Sequence, residues 1–184
     1  MNMKTFPRTM AAIALMTTTF VGVVHAGDSG ATPFGIEIGG SCDHALTKLG
    51  ETTSKKVEGE GGDLVHYAVK PGALFVGAKE LSVHCSVGMV TSLQLVAPKG
   101  GGNHSAKDAY ATLSKLYKRI EGGPIPSVGN GYALFRKGDS IIEMSAPHLR
   151  SDFKLTYFMK EVYDHYVDII QKEEQEKKRI NSKL

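Results

Sequence analysis

The chain has no tryptophan and only two cysteines in 184 residues. Tryptophan is a common stacking platform for sugars, so its absence weighs against a carbohydrate-binding groove. The cysteines stand at Cys42 and Cys85, so no C-x-x-C redox motif exists. Lys+Arg and Asp+Glu nearly balance, at 22 and 19. No dense basic run is interleaved with aromatics, which leaves nucleic-acid binding without support. After the N-terminal stretch, no segment is apolar enough to span a bilayer, so no integral membrane span is expected after processing.

The N-terminal stretch has the three parts of a secretory signal. Lys4 and Arg8 precede any acid, an apolar run extends over 10–24, and Val24-His25-Ala26 offers compact residues to a signal peptidase. Thr17, Thr18 and Thr19 interrupt that run, which is shorter than the roughly 18–20 apolar residues of a membrane anchor. The expected organisation is a signal peptide over 1–26, a flexible leader over 27–33, one α+β domain over 34–170 and a charged helical extension over 171–184. Removal of 26 of the 184 residues leaves 158, and Lys+Arg falls from 22 to 20 against 19 acids, for a net charge of +1. In an oxidising exported compartment, Cys42 and Cys85 read first as a disulfide. A reactive thiol at Cys42, on the first turn of a helix, is the alternative.

Phe34-Gly-Ile-Glu-Ile-Gly39 reads as a short strand. Ser41 caps a short helix with Ala45, Leu46 and Leu49, which Gly50 stops. The polar, glycine-rich 51–63 reads as a loop. Strands are expected over 64–69 and 73–78 around the Lys70-Pro71-Gly72 turn. Leu81, Val83, Cys85 and Val87 alternate with polar residues as a half-buried strand, and 90–97 follows as another. Ser105 is expected to cap a helix over 105–120, with Ala109, Leu113, Leu116 and Ile120 on one stripe. A hairpin over 132–145, a strand over 153–158 and a last helix over 159–179 complete the order. The spacing Ser41, Ala45, Leu49 repeats as Ser105, Ala109, Leu113, which points to a duplicated αβββ unit: antiparallel strands, two packed helices and a C-terminal helix.

Phe34-Gly-Ile-Glu-Ile-Gly-Gly-Ser41, a short helix, hairpins and then Leu113, Leu116 and Tyr117 resemble small bacterial periplasmic proteins of uncharacterised function. The outline is similar to the helix-plus-meander folds of outer-membrane assembly lipoproteins and of the secreted β-lactamase inhibitor. The chain departs from the lipoproteins in having no cysteine at the cleavage site. The resemblance implies a binding protein rather than a catalyst.

Catalytic motifs dissolve on inspection. Gly27-Asp28-Ser29-Gly30 matches a trypsin-like nucleophile block, but those enzymes place histidine and aspartate upstream of it, where this sequence has only the expected signal peptide. Gly138-Asp139-Ser140-Ile141 resembles the nucleophile block of GDSL-type esterases, but it sits late and no D-x-x-H follows, so a hairpin turn explains it. Cys42-x-His44 and His84-Cys85 suggest metal ligands, but neighbours on a strand point to opposite faces. Lys99-Gly-Gly-Gly-Asn-His-Ser105 lacks P-loop spacing and reads as a loop. No catalytic residue, metal or cofactor is assigned. The reading is a periplasmic or secreted protein that binds an envelope or secreted partner, with an inhibitor or immunity protein as a special case and a small periplasmic hydrolase as the rival. The contact surface falls on the last helix, at Tyr163 and Tyr166 and at Lys177, Lys178 and Arg179 in its charged end. Cleavage after Ala26 is expected to give a mature N-terminus of Gly-Asp-Ser-Gly. An intact mass that retains 1–26 would turn the protein into an anchored one.

Overall fold

The computed structural model describes residues 30–50, 52–57, 64–69 and 78–182. The expected signal peptide, the turn at 70–72 and most of the strand expected at 73–78 lie outside the described residues. The elements are α1 (Cys42–Leu49), β1 (Thr52–Val57), β2 (Leu64–Val69), β3 (Glu80–Ser86), β4 (Met89–Pro98), α2 (His104–Leu116), β5 (Lys118–Gly122), β6 (Gly131–Lys137), β7 (Ser140–Ala146), β8 (Asp152–Met159) and α3 (Lys160–Asn181). The strands form one antiparallel sheet in the order β1-β2-β3-β4-β8-β7-β6-β5. The fold is α+β, as expected, but a helix followed by four strands occurs twice, rather than a helix followed by three.

The two extra strands are β1, within the expected loop over 51–63, and β5, which overlaps the end of the expected helix over 105–120. Both are edge strands. An edge strand need not present an alternating apolar face, and charges along it discourage pairing with other chains. Lys55 and Lys56 stand in β1, and β5 is exposed along its whole length, so neither shows a period of two. At Tyr117 the backbone turns extended, with φ −133° and ψ 150°, which stops α2 at Leu116 and leaves Ile120 exposed on β5.

The two halves join where β4 lies against β8. Leu95 stands opposite Leu155, with Leu93 opposite Tyr157 and Ala97 opposite Phe153. Residues 93, 95 and 97 are thus related to 153, 155 and 157 by a local two-fold normal to the sheet. The helices obey the same relation. Cys42, Ala45 and Leu49 face the core from α1, and Ala106, Ala109 and Leu113 pack inward from α2 at identical spacing.

One sheet face carries the core. Leu81, Val83, Leu93, Leu155, Ile142 and Phe135 pack beneath the two helices with almost no exposure. Ser41 Oγ accepts the His44 N–H at 3.4 Å to start α1, and Gly50 ends it at φ 72°. α2 begins differently from expectation. Asn103 precedes it with φ 58°, and its side chain, instead of capping the helix, donates to Pro126 O (2.9 Å) and Gly129 O (3.2 Å); Ser105 lies inside the helix. Val87 and Gly88, both at positive φ, form the tight β3–β4 turn, so β3 ends before Val87.

The expected strand over 34–39 is instead a 3-10 turn at Pro33–Gly35 followed by irregular chain with Ile36 and Ile38 buried. Hydrogen bonds to the β3–β4 hairpin hold its end: Gly39 N–H to Val90 O (2.8 Å), Val90 N–H to Gly40 O (2.9 Å) and Cys42 N–H to Gly88 O (2.9 Å). Of the leader expected over 27–33, residues 27–29 lie outside the described residues. Ala31 and Pro33 are buried, and the Ala31 N–H donates to Ser140 Oγ at 2.9 Å, so the ordered chain starts earlier than expected.

Cys42 and Cys85 form a disulfide that ties the start of α1 to β3 across a separation of 43 residues. Loop closure of that length is worth about 4 kcal/mol in the chain-entropy account. Cys85→Ser is therefore expected to lower the melting temperature sharply, and the oxidised protein should titrate no thiol when denatured. Two reactive thiols under those conditions would remove the bond from the account of stability.

Candidate functional site

The face of the sheet away from α1 and α2 is polar, with Ser82, His84, Ser92, Gln94, Glu143 and Thr156 in register across it. Over its β6–β8 part lies the first half of α3. This helix has no fully buried residue, and Val162, Tyr163 and Val167 are half-buried. Phe158 of β8 is its seat: the Tyr163 ring packs tilted against it at 5.6 Å and the Tyr166 ring stacks on it at 6.1 Å and 16°. The Tyr163 hydroxyl is hydrogen-bonded to that of Tyr132 on β6; burial first, then this bond, pushes the Tyr132 hydroxyl above its ordinary value.

The expected contact residues therefore divide. Tyr163 is a docking residue, fixed between Phe158 and Tyr132. Tyr166 keeps 45% of its surface exposed, and Ile169 and Ile170 continue the apolar row at 43% and 36%. Lys177, Lys178 and Arg179 are exposed on the far end of the same helix, where Arg179 pairs with Glu176 at 2.6 Å. The 22 residues of α3 span roughly 33 Å at 1.5 Å per residue, so much of the helix projects beyond its seat.

A second polar cluster lies on the same face, on adjacent strands. His66 on β2 stands opposite His84 on β3, with His66 Nδ1 at 2.7 Å from His84 Nε2. His84 Nδ1 is in turn 2.8 Å from Ser92 Oγ on β4. Desolvation, followed by the neighbouring His66, lowers the His84 pKa from 6.5. The alternation of β3 places His84 on its outward side, but only strand register brings His66 beside it. The connectivity is that of a nucleophile, a base and an orienting group, yet Ser92 is 5% exposed and bonded to Nδ1, and neither of two clefts among the described residues reaches it.

Those clefts lie elsewhere. One, of about 630 Å³, is lined by Leu116, Tyr117, Lys118, Arg136 and Lys137. The other, of about 500 Å³, lies between the start of α2 and the β7–β8 connection. Lys99 on its wall is buried, and its Nζ donates to Pro147 O at 2.6 Å, so the loop preceding α2 is anchored. Ser140, in the esterase-like motif, is 1% exposed on the core face and accepts a backbone N–H. Gly27-Asp28-Ser29 lies outside the described residues. The disulfide engages both cysteines, and His84 and Cys85 face opposite sides of β3, as expected from strand geometry. Among the described residues no three His, Cys, Asp or Glu side chains converge as metal ligands, and no helix is long and apolar enough to cross a membrane. No protein family, curated protein or solved structure matches the chain.

Glu143 sits on this face near the α3 seat. Burial raises its pKa from 4.5, against the pull of Lys154. A carboxyl group raised on folding favours the folded state below its unfolded value, and that contribution is lost as pH rises through the folded value. Glu143→Gln is therefore expected to raise the melting temperature at pH 7, with the difference shrinking as pH falls through the raised value towards 4.5 and constant below it. A variant less stable than wild type at pH 7 would contradict this sign.

Proposed function

We propose that the chain is an exported protein, periplasmic or secreted, that acts by binding another protein through the outer row of α3. The carrying observation is the row of Tyr166, Ile169 and Ile170, exposed at 45%, 43% and 36%, on a helix seated on Phe158 through Tyr163 and one face of the Tyr166 ring. Large apolar side chains clustered on an otherwise charged helix mark a contact surface, and tyrosine is enriched at interfaces. Lys177, Lys178 and Arg179 add positive charge beyond this row, so the partner that fits has an apolar centre and an acidic flank. Inhibition or immunity towards an exported enzyme or toxin is the special case in which that partner is the target. Export is supported by the N-terminal signal pattern and by a disulfide, which persists in oxidising compartments.

The test is capture with the tagged mature protein from an envelope extract, followed by titration of the purified partner. Tyr166→Ala and Ile169→Ala are each expected to weaken binding about tenfold or more, as central apolar anchors do. Removal of 171–184 should shift the melting temperature by no more than about a degree or two, since little apolar area is lost, while weakening binding at low salt. A purified partner bound equally well by the Tyr166→Ala/Ile169→Ala double variant would overturn the assignment of this surface.

A further inference from the structure

We infer that His66 and His84 form a two-histidine site for a borderline divalent transition-metal ion, of the zinc, nickel or copper kind. The two rings project from directly paired positions of β2 and β3 on the polar face, with centroids 4.8 Å apart. Both side chains are half-buried, so an ion reaches them from solvent while strand pairing fixes their spacing. His66 Nδ1 and His84 Nε2 already converge to 2.7 Å. Two imidazole nitrogens at about 2.0–2.1 Å from a tetrahedral ion stand roughly 3.3 Å apart, a small opening reached by side-chain rotation.

Ser92 is the positioning residue. Its hydroxyl lies 2.8 Å from His84 Nδ1, and with the His84 proton on Nδ1 donating to Ser92 Oγ, the Nε2 lone pair is directed at His66. A metal-bound histidine gains the same orientation from the acceptor of its other N–H. In the metal-free pair His66 Nδ1–H donates to that lone pair. On binding, His66 moves its proton to Nε2, both lone pairs enter the metal shell, and no net proton is released.

Donor chemistry selects the ion. Two neutral imidazoles, with no carboxylate converging on them among the described residues, suit zinc, nickel and copper, not calcium or magnesium. Two ligands leave positions open, so the ion exchanges with solvent and can take a further ligand from elsewhere.

Titration of the oxidised mature protein with zinc sulfate or nickel chloride at pH 7.5, by calorimetry and thermal shift, tests this. One ion per chain and a rise in melting temperature are expected, with no rise in calcium chloride. His66→Asn and His84→Asn should each weaken binding at least tenfold, and Ser92→Ala by about tenfold. His104→Asn, at an exposed helix start on another surface, should change nothing. If His84→Asn fails to fold, His66→Asn together with zinc-dependent shifts of the ring nitrogens of His66 and His84 in wild type carries the test. Undiminished binding by folded His66→Asn, or no binding by wild type, would overturn the site.

Discussion

The pairing of β4 with β8 is the contact on which the molecule depends. A four-stranded sheet with one short helix has a single half-covered apolar face and two open edges. Joining two such units along their inner edges removes two of the four edges and makes one continuous core out of two small ones. Leu95 opposite Leu155 is the point about which the halves are related, and the flanking Leu93–Tyr157 and Ala97–Phe153 pairs place large side chains beside small or branched ones on both sides. Interdigitation of that kind is how a core reaches close packing. The disulfide then fastens α1 to β3, and the buried hydrogen bond from Ala31 to Ser140 fastens the incoming chain to the second half.

That arrangement gives the sheet faces different work. With α1 and α2 on one side, the core side chains occupy alternate positions, and the positions between them must face outward. These outward residues are polar near β2–β4, where the histidine pair lies, and aromatic near β6–β8, where Phe158 and Tyr132 receive α3. α3 covers only the aromatic part. Its inner side closes the sheet, and its outer row remains available to a partner.

Much of the fold was legible because periodicity survives wherever burial is one-sided. α1 was readable from Ser41, Ala45, Leu49 and Gly50, and β3 from Leu81, Val83 and Cys85. The hairpin of β6 and β7 was readable from apolar segments flanking Lys137-Gly138-Asp139. The repeated Ser41/Ala45/Leu49 and Ser105/Ala109/Leu113 spacing carried the duplication. The edge strands were illegible for the converse reason, since the charged, exposed β5 and lysine-bearing β1 show no apolar alternation. Phe34–Gly39 misled because Ile36 and Ile38 are buried by irregular chain, and two apolar residues two apart do not distinguish that from a strand.

The sequence by itself determined the disulfide partners, since only two cysteines exist, and the amphipathic then charged character of the last helix. Tertiary structure alone decided which tyrosine keeps an exposed side and which histidines meet. Tyr163 and Tyr166 are equivalent in composition and both rings pack on Phe158, and it is the position of Tyr132 on a neighbouring strand that also ties down the Tyr163 hydroxyl while Tyr166 keeps 45% of its surface exposed. His66 and His84 are 18 residues apart, and a one-residue slip in register would send one of them to the core face. Register is set by which face of each strand packs beneath the helices, a property of the assembled core rather than of either histidine's local sequence.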